Sequence, residues 1–236
     1  PQKRTIDRKV GKLYADTTMR TIDYQPMIWL SWRKKKMRVS LNYNGRTRQP
    51  SLSDLMPLTD NSDPLYITRG NPDLKQMFMH TMHMSFQHPS KGISANLGWQ
   101  MEKNSVTQVV LYDVQTGGRE IYPININGNW NTYGSADWWK RFGHFSLKLS
   151  TSGRHSNRVS MINEDRSQQP EKSTTRDTGL NCEMAASYQP TWGGFDFSTS
   201  WDYQYSLNSL NDNNTDTRYY NFRFDGYVDF PFGLQL

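Results

Sequence analysis

The sequence predicts an all-β chain, an antiparallel up-and-down meander that forms a section of a transmembrane β-barrel. Three observations lead there. One segment alternates apolar and polar residues over an unusual length. The same alternation recurs along the chain. Short and long connections between the alternating segments take turns.

The longest alternation lies in residues 195–206. Phe195, Phe197, Thr199, Trp201, Tyr203 and Tyr205 interleave with Asp196, Ser198, Ser200, Asp202, Gln204 and Ser206. Successive side chains of a strand point to opposite faces, so this is a ribbon with one aromatic and one wet face. A helix would scatter the same residues around its axis and leave no face to bury. Strands of soluble domains usually run about 5–6 residues, whereas a tilted strand needs about 9–11 to cross a bilayer.

The pattern recurs. Met37, Val39, Leu41 and Tyr43 alternate with polar residues, as do Ile93, Ala95, Leu97, Trp99 and Met101. Val106, Val110, Tyr112 and Val114 keep the spacing of two, and so do Phe145, Leu147 and Leu149. Leu180 to Tyr188 and Tyr220 to Phe230 complete the set. Repetition of one dyad period is stronger than any single instance. About nine or ten strands result. Residues 1–20 lack clean alternation and read as loop or a frayed strand. Gly233 to Leu236 read as the start of a further strand.

One group of connections is short: Arg33–Lys36, His88–Gly92, Trp139–Gly143 and Pro190–Gly194. The other is longer and more polar: Thr47–Gln76, Met161–Asp177 and Leu207–Asp216, with Thr116–Arg119 as a short exception. Membrane barrels have short turns at one rim and long loops at the other. A Greek-key sandwich has no reason to sort its loops in this way.

Composition agrees with that architecture. The 236 residues are 35% hydrophobic and 13% aromatic, with a mean hydropathy of −0.85. A barrel meets lipid with only one side chain in two; a secreted β-sandwich with polar loops would share the composition. No run approaches the ~20 apolar residues of a membrane helix. The formal charge is +6, but the cations are scattered except for Arg33-Lys34-Lys35-Lys36, which reads as a hairpin turn, so nucleic acid is not the expected partner. The single cysteine, Cys182, excludes an intrachain disulfide and multi-thiolate metal sites. It falls on an apolar side, as a small buried or lipid-facing residue. The chain opens Pro-Gln-Lys-Arg with no initiating Met, and reads as a mature product or a cut piece. Nothing marks a boundary, so residues 1–236 read as one partial barrel domain.

The long segment after Asn44 is a structured loop. Pro50, Pro57, Pro64 and Pro72 restrict the backbone, Gly70-Asn71-Pro72 signals a turn, and Ser51 to Leu55 suit one capped helical turn. Arg48-Gln49-Pro50-Ser51 and Gly70-Asn71-Pro72-Asp73-Leu74 carry a family likeness. The segment resembles the outer-membrane β-barrels of TonB-dependent receptor type that are abundant in Bacteroidetes, Gram-negative bacteria. There, Arg-x-Pro-Ser after one barrel strand leads to Gly-Asn-Pro-x-Leu before the next. Leu55-Met56-Pro57 departs slightly from the family's Leu-Asn-Pro, and Asn125 to Asn129 fall in the expected place.

The resemblance implies residence in the cell outer membrane and a barrel of about 22 strands closed by a plug domain. It also implies ligand uptake driven by a TonB-type energy-coupling protein. Plug and terminal strands are not found in these residues, so the chain reads as the middle of a barrel. Site residues follow: Arg48, Pro50, Ser51, Gly70, Asn71, Pro72 and Leu74 in the loop motif. Phe195, Phe197, Trp201, Tyr203, Tyr205, Phe222 and Phe224 would face lipid. Arg38, Asp196, Asp202, Arg223 and Asp225, with Gln100 and Lys148, would line the lumen.

No catalytic constellation stands out. Glu164, Asp165 and Asp177 fall in a loop with no partnered base, and no Gly-x-Ser-x-Gly or phosphate loop occurs. The chain is expected to be no enzyme and to need no cofactor. His80 and His83 on one strand would face opposite sides and could not share an ion. Asn211 to Asp216 offers oxygens, but without the Gly and distant Glu of a hand-type calcium loop. Trp130, Trp138 and Trp139 suit an interfacial girdle, or in a soluble fold a core or a carbohydrate platform. Two rivals stay open: a non-transporting barrel such as an adhesin or structural porin, and a soluble carbohydrate-binding β-sandwich.

Overall fold

The computed structural model describes residues 2–10, 13–21, 23–113, 115–163, 169–210 and 214–229. Expectations for Val114, Glu164, Asp165, residues 211–213, Phe230 and residues 233–236 lie outside the described residues. The chain starts with an antiparallel hairpin, β1 (Gln2–Val10) and β2 (Leu13–Thr21). That corrects the reading of residues 1–20 as loop or frayed strand. Pairing between two backbones does not require alternation, and this two-stranded sheet stands apart from the others.

The meander begins with β3 (Met27–Lys34) and β4 (Met37–Arg48). A one-turn helix α1 (Leu52–Leu55) and two short strands, β5 (Thr59–Asp63) and β6 (Tyr66–Arg69), fill the long loop. Then come β7 (Met77–His88) and β8 (Ile93–Lys103), and a hairpin of β9 (Ser105–Tyr112) and β10 (Arg119–Ile126). Long strands complete the chain: β11 (Asn129–Phe142), β12 (Phe145–Ile162), β13 (Glu171–Tyr188), β14 (Gly193–Asn208) and β15 (Thr215–Val228).

Nine strands form one antiparallel sheet in the order β15-β14-β13-β12-β11-β8-β7-β4-β3. Its spatial order follows chain order, the up-and-down topology expected from the sequence. The sheet is open, with β3 and β15 as its edges. β12 and β13 each run 18 residues, well beyond the ~9–11 that cross a bilayer.

Two expectations need correction. β9 and β10 were expected within the meander, but they leave it to form a second sheet, β5-β6-β10-β9. Asn104, at φ 57°, turns the backbone between β8 and β9. The exception at Thr116–Arg119 thereby disappears: it is the tip of an excursion, and the real β8–β11 connection is long. Every connection at that rim is now longer than the tight turns at the other. The second correction concerns Met161–Asp177. Strands β12 and β13 extend through most of it, so Asp177 lies in a strand and not in a loop.

Burial is sparse and concentrated at the long-loop rim. Leu55 and Leu74 in the loop, Val109, Pro123 and Ile126 on the excursion hairpin, and Met79 on β7 are buried. Over the rest of the main sheet the apolar face is bare: Phe222 and Phe224 are each 69% exposed. No second layer covers that face among the described residues, which removes the sandwich alternative. Low hydrophobic content and absence of a thick core have one cause, a single-layer sheet.

Candidate functional site

The loop motif folds into a compact unit held by backbone bonds. The Ser51 hydroxyl caps α1, accepting from the Asp54 N–H at 3.1 Å, as expected for a capped turn. Asn71 N–H donates to the Asp54 carbonyl at 2.6 Å, and its side chain donates to the Pro123 carbonyl at 2.9 Å. Gly70 is required by space, because a Cβ there would run into the Met56 carbonyl oxygen. Leu74, only 2% exposed, anchors the far end.

Asn125 staples this unit to the excursion hairpin. Its amide oxygen accepts from Lys75 N–H at 2.7 Å, and its NH₂ donates to the carbonyls of Lys75 at 3.0 Å and Asn104 at 2.9 Å. Sequence reasoning placed Asn125 in a familiar position without its role. The available signal was a lone polar residue between Ile124 and Ile126. Gln49, next to Arg48 and Pro50, donates to Asp23 and Gln76. These motif residues build the rim unit, and Arg48, Gln49, Pro50 and Ser51 also line an open pocket of about 600 Å³ with Glu102 and Gln108; Pro72 closes the turn between Asn71 and Asp73, whose N–H bonds to the Asn71 side chain.

The main sheet has two chemically distinct faces. Phe195, Phe197, Trp201, Tyr203 and Tyr205 on β14 share one face with Phe222 and Phe224 on β15, because the register pairs Phe197 with Phe224 and Thr199 with Phe222. Cys182 is on that face, paired with Thr151 and Trp201. Val39, Phe86, Ala95, Ala136, Thr151 and Cys182 lie in one cross-strand row. Val39 sits near the start of β4, while Cys182 lies deep within β13. The turns therefore climb across the sheet, as tilted, staggered barrel strands do.

The opposite face carries Arg38, Gln100, Lys148, Asp196, Asp202, Arg223 and Asp225, all at complementary parity. It is hydrogen-bonded across strands. Ser40 and Ser85 hydroxyls meet at 2.6 Å, Asn181 donates to Asp202 at 2.7 Å and Lys148 lies 3.8 Å from Glu183; within β15, Arg223 pairs with Asp225. Nearer the long-loop rim, Asp177 accepts from Arg158 and Ser206, each at 2.7 Å. Reading Asp177 as a loop residue hid this cluster. Tyr133 lies over Gly98 of the neighbouring strand, where a Cβ would collide with its ring; aromatic cover of a strand glycine restores lost packing.

The remaining candidates separate. His80 meets Tyr43 at 2.9 Å on the apolar side, and His83 faces the other way. Trp130 and Trp138 lie on the apolar face, while Trp139 lies on the polar face and cannot join an outer girdle with them. At the rim, the Thr116 hydroxyl and then the Gln115 N–H hold the Asp113 carboxyl below its usual range. Ser62 does the same for Asp60 through its hydroxyl and its N–H.

A bilayer-length, up-and-down sheet with an uncovered aromatic face, a polar face and one rim of long loops defines an outer-membrane type of β-barrel. The chain belongs to the outer membrane protein beta-barrel family, whose model matches residues 16–230. It is accordingly a protein of the outer membrane. No curated protein and no solved structure matches it.

Proposed function

We propose that the chain forms part of the barrel of a TonB-dependent transporter that takes up a ligand from outside the cell. In this reading the apolar face meets outer-membrane lipid, the polar face lines the lumen, and the long-loop rim captures the ligand. A plug domain in the full-length protein closes the bore, and a TonB-type partner moves it. The barrel catalyses no reaction and needs no cofactor. The observation that carries the reading is the rim unit: Arg48-Gln49-Pro50-Ser51 and Gly70-Asn71-Pro72-Asp73-Leu74, which mark the transporter-type likeness, fold into one unit stapled through Asn125. The charged, hydrogen-bonded lumen face supports it, since transporter bores are polar.

Conductance of the full-length protein in a planar bilayer, combined with binding to a TonB C-terminal domain, tests the reading. A plugged transporter conducts only after a denaturant such as urea dislodges the plug, and it binds the TonB domain. A steadily open channel with no TonB binding would identify a porin instead; a closed barrel with no TonB binding would favour an adhesin.

A further inference from the structure

We propose that the apolar side of β11–β15 holds one phosphorylated glycolipid of the outer leaflet, with its phosphates on Arg176 and Arg218 and an acyl chain in a groove below. The inference rests on the reading that this face meets lipid and that the long-loop rim points outward.

The outward row of β13 reads Tyr188, Ala186, Met184, Cys182 and Leu180, then turns polar with Thr178, Arg176, Thr174 and Lys172. On β15, Phe224, Phe222 and Tyr220 give way to Arg218 on the same face. His155 lies on β12, on the other side of β13 from β15, beside Thr178 and edge-on to Trp130. Arg176, Arg218 and Lys172 are exposed. Asp216, bonded to Arg218 at 3.1 Å, is the only outward carboxylate here among the described residues of β12–β15. Arg176 donates one Nε bond to Asn157 at 3.4 Å. Among the described residues its terminal nitrogens make no hydrogen bond or ion pair. At the opposite end of the same face, β12–β15 offer Phe145, Tyr188, Phe195 and Val228, with no cation. On the neighbouring β11 the short-turn end of this face carries one cation, Lys140, seated 4.9 Å over the Phe142 ring, so within β12–β15 the positive charge gathers at the long-loop end. Cations flanking an apolar span bind anionic headgroups.

Below the cations lies an apolar groove of about 620 Å³, with Ala136, Thr151, Cys182 and Thr199 as its floor and Trp138 and Trp201 as its walls. The small residues leave an open apolar hollow there, bordered also by Ile93, Leu149 and Met184. Arg176 and Cys182 are separated by about 20 Å along β13. At a tilt of about 40° this projects to roughly 15 Å, one leaflet of hydrocarbon. A lipid whose phosphate is on Arg176 would lay its chain into the groove.

The test uses full-length protein in detergent, with lipopolysaccharide as probe and native mass spectrometry as readout. Arg176→Ala/Arg218→Ala should weaken binding about 25-fold, near fivefold for each cation, and Arg→Lys at both sites should restore most of it. Phosphatase-treated lipopolysaccharide should bind as weakly to wild type, and millimolar inorganic phosphate should not compete. Ala136→Phe, which fills the groove, should weaken binding with both arginines intact. Unchanged affinity in the double-alanine variant overturns the proposal, as does full competition by phosphate. Loss of binding in Arg154→Ala/Arg158→Ala, on the polar face at similar height, would instead invert the face assignment and overturn the lipid-facing reading itself.

Discussion

An arginine at Thr199 should destabilise the barrel strongly, and an arginine at the next residue, Ser200, should not. Thr199 pairs with Met184 and Phe222 on the apolar face, near the middle of the aromatic band of β14. Ser200 pairs with Glu183 and Asn221 on the polar face. The two sites share a strand and a depth, so the comparison chiefly isolates the face. A cation facing lipid at mid-bilayer costs about 2–4 kcal/mol, or roughly thirty- to several-hundred-fold in the folding equilibrium. At Ser200 the new side chain meets water and the Glu183 carboxylate, and the change should stay within about 0.5 kcal/mol. The assay is urea-driven unfolding of the full-length barrel in phospholipid vesicles, followed by tryptophan fluorescence. Equal losses at the two positions, or a larger loss at Ser200, would refute the assignment of faces.

Other predictions concern the rim. Asn125→Ala removes three hydrogen bonds from the loop unit and should cost about 1–3 kcal/mol, read as faster amide exchange at Asn71–Lys75 with the long strands unaffected. Leu74→Ala should cost about 2–5 kcal/mol, again local, seen as protease cleavage between Leu58 and Lys75. Asp113 titrates lower in the folded hairpin than in the unfolded chain, because Thr116 and Gln115 bond its charged form. Its contribution is therefore full above the ordinary carboxylate range and is lost as pH falls through the lowered folded value. Asp113→Asn should abolish that acid dependence of exchange in the 113–118 turn.

The long strands were legible because a half-exposed sheet writes its period directly into the sequence. Phe195 to Ser206 needed no tertiary information: every odd residue meets one medium and every even residue another. The rim was harder. β9 carries the same valine spacing as a barrel strand, and only its pairing with β10 and the turn at Asn104 remove it from the sheet. Periodicity reports two unlike faces, not which sheet owns them. Asp177 was obscured because residues 171–178 of β13 are polar on both faces, so alternation no longer separates apolar from polar there. Within the loop motif, Ser51 announced its cap through local chemistry, whereas the bonds of Asn71 to Pro123 and of Asn125 to Lys75 join residues 52 and 50 positions apart. No local pattern encodes such contacts.

Spin labelling offers the sharpest examination of which surface lipid touches. With Cys182 and any other native thiol replaced by serine, single cysteines at each position from 195 to 206 of the full-length protein can carry a nitroxide in lipid bilayers. Collision with oxygen should peak at odd positions, and collision with a water-soluble nickel chelate at even ones, period two throughout. Chelate access at Phe197 and Trp201 equal to that at Ser198 and Asp202 would contradict the account.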